Sequence, residues 1–103
     1  SGFQSAFYVV DRVALKFDIK FVIENVKGSL NGDFITIDNN DNSVMVLQNL
    51  DLTLADGKKL IKSTNTIYQV FMSNITINGV KVTTETVAQY LENVAWYQVV
   101  EEI

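Results

Sequence analysis

From Val13 to Ile23 the odd positions are all apolar: Val13, Leu15, Phe17, Ile19, Phe21 and Ile23. Lys16, Asp18 and Lys20 stand between them, with Ala14 and Val22 as exceptions. Side chains two residues apart project from the same side of an extended chain, so this stretch predicts a strand with one buried face, Leu15, Phe17, Ile19 and Phe21 being core. Phe7 to Val10 is also strand-like, which carries the extended segment from Phe7 to Val26. A domain of 103 residues has a radius of gyration of about 13 Å, and about ten strand residues cross it. The long segment must therefore bend, near Asp11-Arg12 where the apolar pattern falters, or project and pair with another chain. Bending is the favoured alternative, although no proline blunts the strand as an exposed edge often requires.

Further strands follow. Phe34–Ile37, Val44–Leu47, the alternating Leu50, Leu52 and Leu54, and Thr66–Ile77 are each extended by pattern. "KGSLNGD" reads as a turn, and Asp56-Gly57 and Asn78-Gly79 read as tight hairpin turns, with Val80–Val82 returning after the second. At Thr83 the period changes. Val87, Tyr90, Leu91 and Val94 fall at the spacing of one helix face, Thr83 or Thr84 can cap its first amides, and Glu85 suits its dipole. "WYQVVEEI" closes the chain as a short strand or tail. No internal repeat, linker or low-complexity tract is evident.

The expected fold class is therefore α+β, predominantly antiparallel β, with about six to seven strands in a sandwich or curved sheet and one short helix near the C-terminus. Residues 1–103 read as a single β-rich domain. The chain opens on Ser1-Gly2 rather than Met, which reads as a trimmed or processed start, and residues 1–6 read as a flexible lead.

Composition removes several chemistries. The net charge is −4, with only 8 Lys and Arg, which cannot easily build the basic face a phosphate backbone needs, so nucleic acid is not expected as a partner. No apolar run reaches the ~20 residues of a membrane-spanning helix. There is no cysteine, histidine or proline. Zinc, copper and haem lose their usual ligands, and only hard cations on oxygen remain. No cofactor is expected.

Asp38, Asn40 and Asn42 match the opening of a calcium loop, but Ser43 replaces its turn glycine and Asn49 its closing glutamate. A turn between strands is the better reading of Asp38–Ser43, and a weak oxygen-ligated cation the alternative. No Gly-x-Ser-x-Gly elbow or phosphate-binding glycine loop is present, and no spacing brings two of the 12 carboxylates together, so an enzyme is not expected. Lys58, Lys59 and Lys62 read as a solvated hairpin tip, with a site for an anionic partner as the alternative. Asn74-Ile75-Thr76 is formally a glycosylation sequon, but inside a strand it reads as chance. Phe3, Phe7, Tyr8, Trp96 and Tyr97 either close the core or anchor a partner chain or sugar; Phe7, Tyr8, Trp96 and Tyr97 are the interface candidates.

The tract "INGVKVTTETVAQYLENVAWYQV", Ile77–Val99, resembles segments of tailed-bacteriophage virion proteins of the fibre, decoration or baseplate type, in which an Asn-Gly hairpin leads into a short helix near a chain end. The resemblance covers about a fifth of the chain and implies a structural part of a virion that assembles from copies of itself. The expected function is thus a self-associating, non-enzymatic structural domain, with partners that are further copies or sister structural proteins. The alternative is a small module that binds a carbohydrate or protein ligand.

Overall fold

The computed structural model describes residues 6–10, 19–38, 43–67 and 69–100. Nine strands lie in two sheets: β1 (Phe7–Val10), β2 (Ile19–Leu30), β3 (Ile35–Asp38), β4 (Ser43–Leu54), β5 (Ile61–Ile67), β6 (Gln69–Ile77), β7 (Val80–Lys81), β8 (Leu91–Val94) and β9 (Tyr97–Val100). One sheet runs β1-β3-β5-β8, and the other runs β2-β4-β6 with β7 and β9 both on β6. Every pairing is parallel except β6 with β7. The expected antiparallel sandwich is therefore incorrect. Apart from the β6-β7 hairpin, successive strands alternate between the sheets, and each strand stacks on the one a full coil earlier, as in a parallel β-helix.

The coil is a sequence repeat that the single-strand reading overlooks. Phe21-x-Ile23-x-Asn25-Val26 aligns with Met45-x-Leu47-x-Asn49-Leu50 and with Val70-x-Met72-x-Asn74-Ile75, in steps of 24 and 25 residues. In each copy the apolar positions change parity across the asparagine. Asn25, Asn49 and Asn74 hold φ of 61°, 54° and 56°, a left-handed conformation that Asn tolerates better than other side chains. A single left-handed residue turns the strand and resets which parity faces inward. Each long strand is thus two legs meeting at a corner, and the other sheet supplies a third side to the coil.

The core is a set of columns inside this coil. Phe21, Met45, Val70 and Tyr97 stack in one; Ile23, Leu47, Met72 and Val99 in the next; Val26, Leu50 and Ile75 beyond the corner. Ile35 and Ile61 continue through the opposite sheet to Leu91. The middle coils are sealed, with Ile35, Met45, Leu47 and Ile61 fully buried, whereas Phe21, Ile23, Tyr97 and Val99 at the two ends are only partly so. Burying one such side chain contributes about 1.5–3 kcal/mol.

Between coils, the Asp33 carboxylate accepts from the Lys59 amide at 2.7 Å, and the Ala55 amide donates to the Leu30 carbonyl at 3.2 Å. Gly57 takes φ 76°, the left-handed turn its sequence predicts. The turn connects two sheets, however, rather than the strands of a hairpin. Asn78-Gly79 does form the expected hairpin, with Thr76 opposite Lys81.

Four other expectations change. Most of the expected turn "KGSLNGD" is strand, since Lys27–Leu30 continues β2 along β4. The expected Thr66–Ile77 strand divides between β5 and β6, which belong to different sheets. The Phe7–Val26 segment is not one strand: β1 and β2 belong to different sheets, while Asp11-Arg12, Leu15 and Phe17 lie outside the described residues. The C-terminal helix is reduced to one 3₁₀ turn, Val87–Tyr90, after which Leu91–Val94 is strand β8. Its helical spacing is real, but Leu91 pairs with Ile61 in the parallel ladder. That ladder extends the core by a further rung, which outweighs the weak intrinsic preference of a short isolated helix. The Thr86 hydroxyl accepts from the Thr83 amide at 2.9 Å, so the threonines shape a turn rather than cap a helix.

Candidate functional site

The first leg of the β2-β4-β6-β9 stack turns one set of side chains outward. Across the rungs these run Lys20, Val44, Gln69; Val22, Val46, Phe71, Gln98; and Glu24, Gln48, Ser73, Val100. The middle row is largely apolar. Val22 is 54% exposed and Val100 50%, and Trp96, 45% exposed, meets Phe71 edge-on with ring centroids 5.3 Å apart. A shallow groove of about 60 Å³ runs between Val46, Gln48, Phe71, Ser73 and Val100. Ordinary small-molecule pockets are about 300–1,000 Å³, so this face suits contact with an extended partner rather than enclosure of a ligand.

The second feature is an edge. β2 is the outermost strand of its sheet, and no described strand lies on its far side. Its first leg carries exposed Lys20, Val22 and Glu24 outward and half-buried Phe21 and Ile23 inward. An open edge of this kind is a template for a further strand.

The four aromatic interface candidates separate. Phe7 packs edge-on against buried Phe34 at 5.3 Å while remaining 38% exposed. Tyr97 is half-buried beneath Val70. Trp96 presents its ring to the outer face, beside Phe71. Tyr8 lies on β1 opposite Thr36, and its side chain is outside the described set. Asp38 ends β3, while Asn40 and Asn42 lie outside the described residues. No group of three or more His, Cys, Asp or Glu that could hold a metal occurs among the described residues.

The asparagines that matter are visible in the sequence but take other roles than expected. Asn49, read as a failed calcium ligand, donates its amide to Asn25 Oδ1 at 3.1 Å. Asn74, the formal sequon, donates to Asn49 Oδ1 at 2.8 Å. The three form a ladder along one corner, and their common spacing is the signal that could have revealed it. Of the lysine cluster, Lys59 Nζ donates to the Gln89 carbonyl at 3.3 Å, Lys58 is exposed beside the Asp56-Gly57 turn, and Lys62 is exposed on strand β5. No described helix is long and apolar enough to cross a membrane.

Compared with protein-family models, with curated proteins and with solved structures, the chain matches none.

Proposed function

We propose that this chain is a non-enzymatic structural domain that associates with copies of itself or with sister structural proteins, as part of a particle of the tailed-phage type. The observation that supports this reading is the end of the coil stack. Its first rung, β2, presents the same backbone surface as every internal rung, yet has no described strand against it. Neither a bulge nor a proline interrupts its first leg, and the core columns are only half-covered there. Association at such an edge adds hydrogen bonds and buries apolar surface together. The phage attribution leans on the Ile77–Val99 tract, whose Asn-Gly hairpin the fold retains and whose helix it replaces with a 3₁₀ turn and a strand. The test is native mass by light scattering across a concentration series, with calcium and then with chelator. A defined oligomer indifferent to chelator is expected, and a monomer at every concentration would overturn the reading.

One observation favours a second reading, a carbohydrate- or protein-binding module: Trp96 lies open against Phe71, itself one of the residues that line the groove. Aromatic rings exposed along a groove stack on apolar sugar faces and anchor protein partners. Trp96 is the sole tryptophan, so intrinsic fluorescence reports this site alone. If the module reading holds, a glycan or peptide ligand shifts that emission saturably, and Trp96→Ala weakens binding at least tenfold, on the order of 1.4 kcal/mol. A flat titration across a glycan panel would remove the carbohydrate form of this reading.

A further inference from the structure

We infer that the partner of the β2 edge is the β2 edge of a second copy, paired antiparallel about a two-fold axis at Val22. This rests on the self-association reading above and specifies its geometry. The argument is charge and shape complementarity. In an antiparallel pair centred on Val22, Lys20 lies directly opposite the second copy's Glu24, and Glu24 opposite its Lys20. The two outward charges on this leg therefore neutralise each other twice, which is the reciprocity a two-fold interface requires. Opposite charges directly across a strand pair are stabilising, and like charges destabilising.

The remaining positions agree with this register. Val22, the most exposed apolar residue on the leg, meets its own copy and shields it from water. On the inward side Phe21 lies opposite the second copy's Ile23, and Ile23 opposite its Phe21. Both are half-buried at the end of the core columns, so each column continues into the partner's and its open end is covered. The corner at Asn25, with φ 61°, confines the flat pairing to the leg that contains all five residues. A head-to-tail alternative, β2 against β9 of the next copy, would set Val100 rather than Lys20 against Glu24. It would also leave a free edge at each end of every assembly, giving open-ended growth.

The test uses the full chain, which has no cysteine. Val22→Cys places two thiols directly across the axis, within the 4.4–6.8 Å Cα separation that a disulfide accepts. Mild oxidation should convert it to a covalent dimer, while Thr53→Cys, exposed on β4, stays monomeric on the same gel. Lys20→Glu and Glu24→Lys should each raise the dimer Kd on the order of tenfold, since either reverses both symmetric pairs. Lys20→Glu combined with Glu24→Lys should restore it. All four positions are exposed, so unchanged thermal melts of dilute samples will show that the variants fold. An oligomer that ignores the charge reversals and leaves the Val22→Cys variant uncrosslinked would overturn this geometry but keep the assembly reading, with mass growing without limit pointing to head-to-tail stacking. A monomer at all concentrations would overturn both.

Discussion

Leu47→Ala should destabilise the protein by about 3–5 kcal/mol, at the upper end of what a buried leucine costs. Leu47 is fully buried and stands in the second coil, between Ile23 above and Met72 below. Truncation there removes contacts on both sides. The rigid backbone spacing of about 4.8 Å between rungs prevents neighbouring coils from collapsing into the void. The matched variant is Ile23→Ala in the same column. Ile23 belongs to the end coil and has a described neighbour on one side only, so its truncation should cost about half as much in dilute solution, as nearest-neighbour coupling in a stacked repeat requires. Urea unfolding of both variants measures the difference. A loss below about 1 kcal/mol at Leu47 would show that the columns do not pack as continuous stacks. Equal costs at the two positions in a dilute, monomeric sample would contradict an open β2 edge.

That contrast also explains how much of the fold was legible from the residues. Periodicity located some strands, because a strand with one buried face must alternate whatever its neighbours do: Leu50, Leu52 and Leu54 were apparent, as was the hairpin at Asn78-Gly79, whereas β5 was missed and its end merged with β6. Strand partners were not apparent, because alternation is identical for parallel and antiparallel neighbours. Asp56-Gly57 illustrates the difficulty. Its left-handed glycine, φ 76°, is as compatible with a corner between sheets as with a hairpin, and only the stacking of Ala55 on Leu30 decides between them. The helix expected at Val87–Val94 failed for a related reason, since the same four apolar residues also reach the core from a 3₁₀ turn, with Val87 and Tyr90, followed by one short strand, with Leu91 and Val94. The candidate site was half-legible. Trp96 stood out as an aromatic that could either close the core or anchor a partner, whereas Lys20 and Glu24 were plain polar positions of an alternating strand and Val22 an exception to its pattern. Their significance lies in being on an edge, a property of the assembled sheet and not of the strand.

The repeat itself could have been read from the asparagines, and Asn49 is where that reading is best tested. Its residue must do two things: adopt φ 54°, and carry an amide that donates to Asn25 and accepts from Asn74 in one stack. Glycine meets the first requirement and fails the second; alanine fails both. Asn49→Gly should therefore lose only the two ladder bonds, which are partly solvated, plus the extra freedom of glycine in the unfolded chain, about 1–2 kcal/mol. Asn49→Ala should lose the same bonds and add the left-handed penalty of about 1–2 kcal/mol, for about 2–4 kcal/mol in all. Asn49→Val, branched at Cβ, should be worse again. The ordering glycine, alanine, valine in denaturation midpoints is the diagnostic, because a position that mattered only for its amide would place glycine and alanine together. Were glycine as stable as the native asparagine, the ladder would contribute nothing and the corner would be a purely conformational device. The asparagine's recurrence in three coils argues for the double role. One left-handed residue switches the inward parity from Leu47 to Leu50, and the amide stacked on it keeps successive corners aligned. A coil that slipped by one residue would turn every leucine of β4 out toward water, so corner alignment is what protects the core columns.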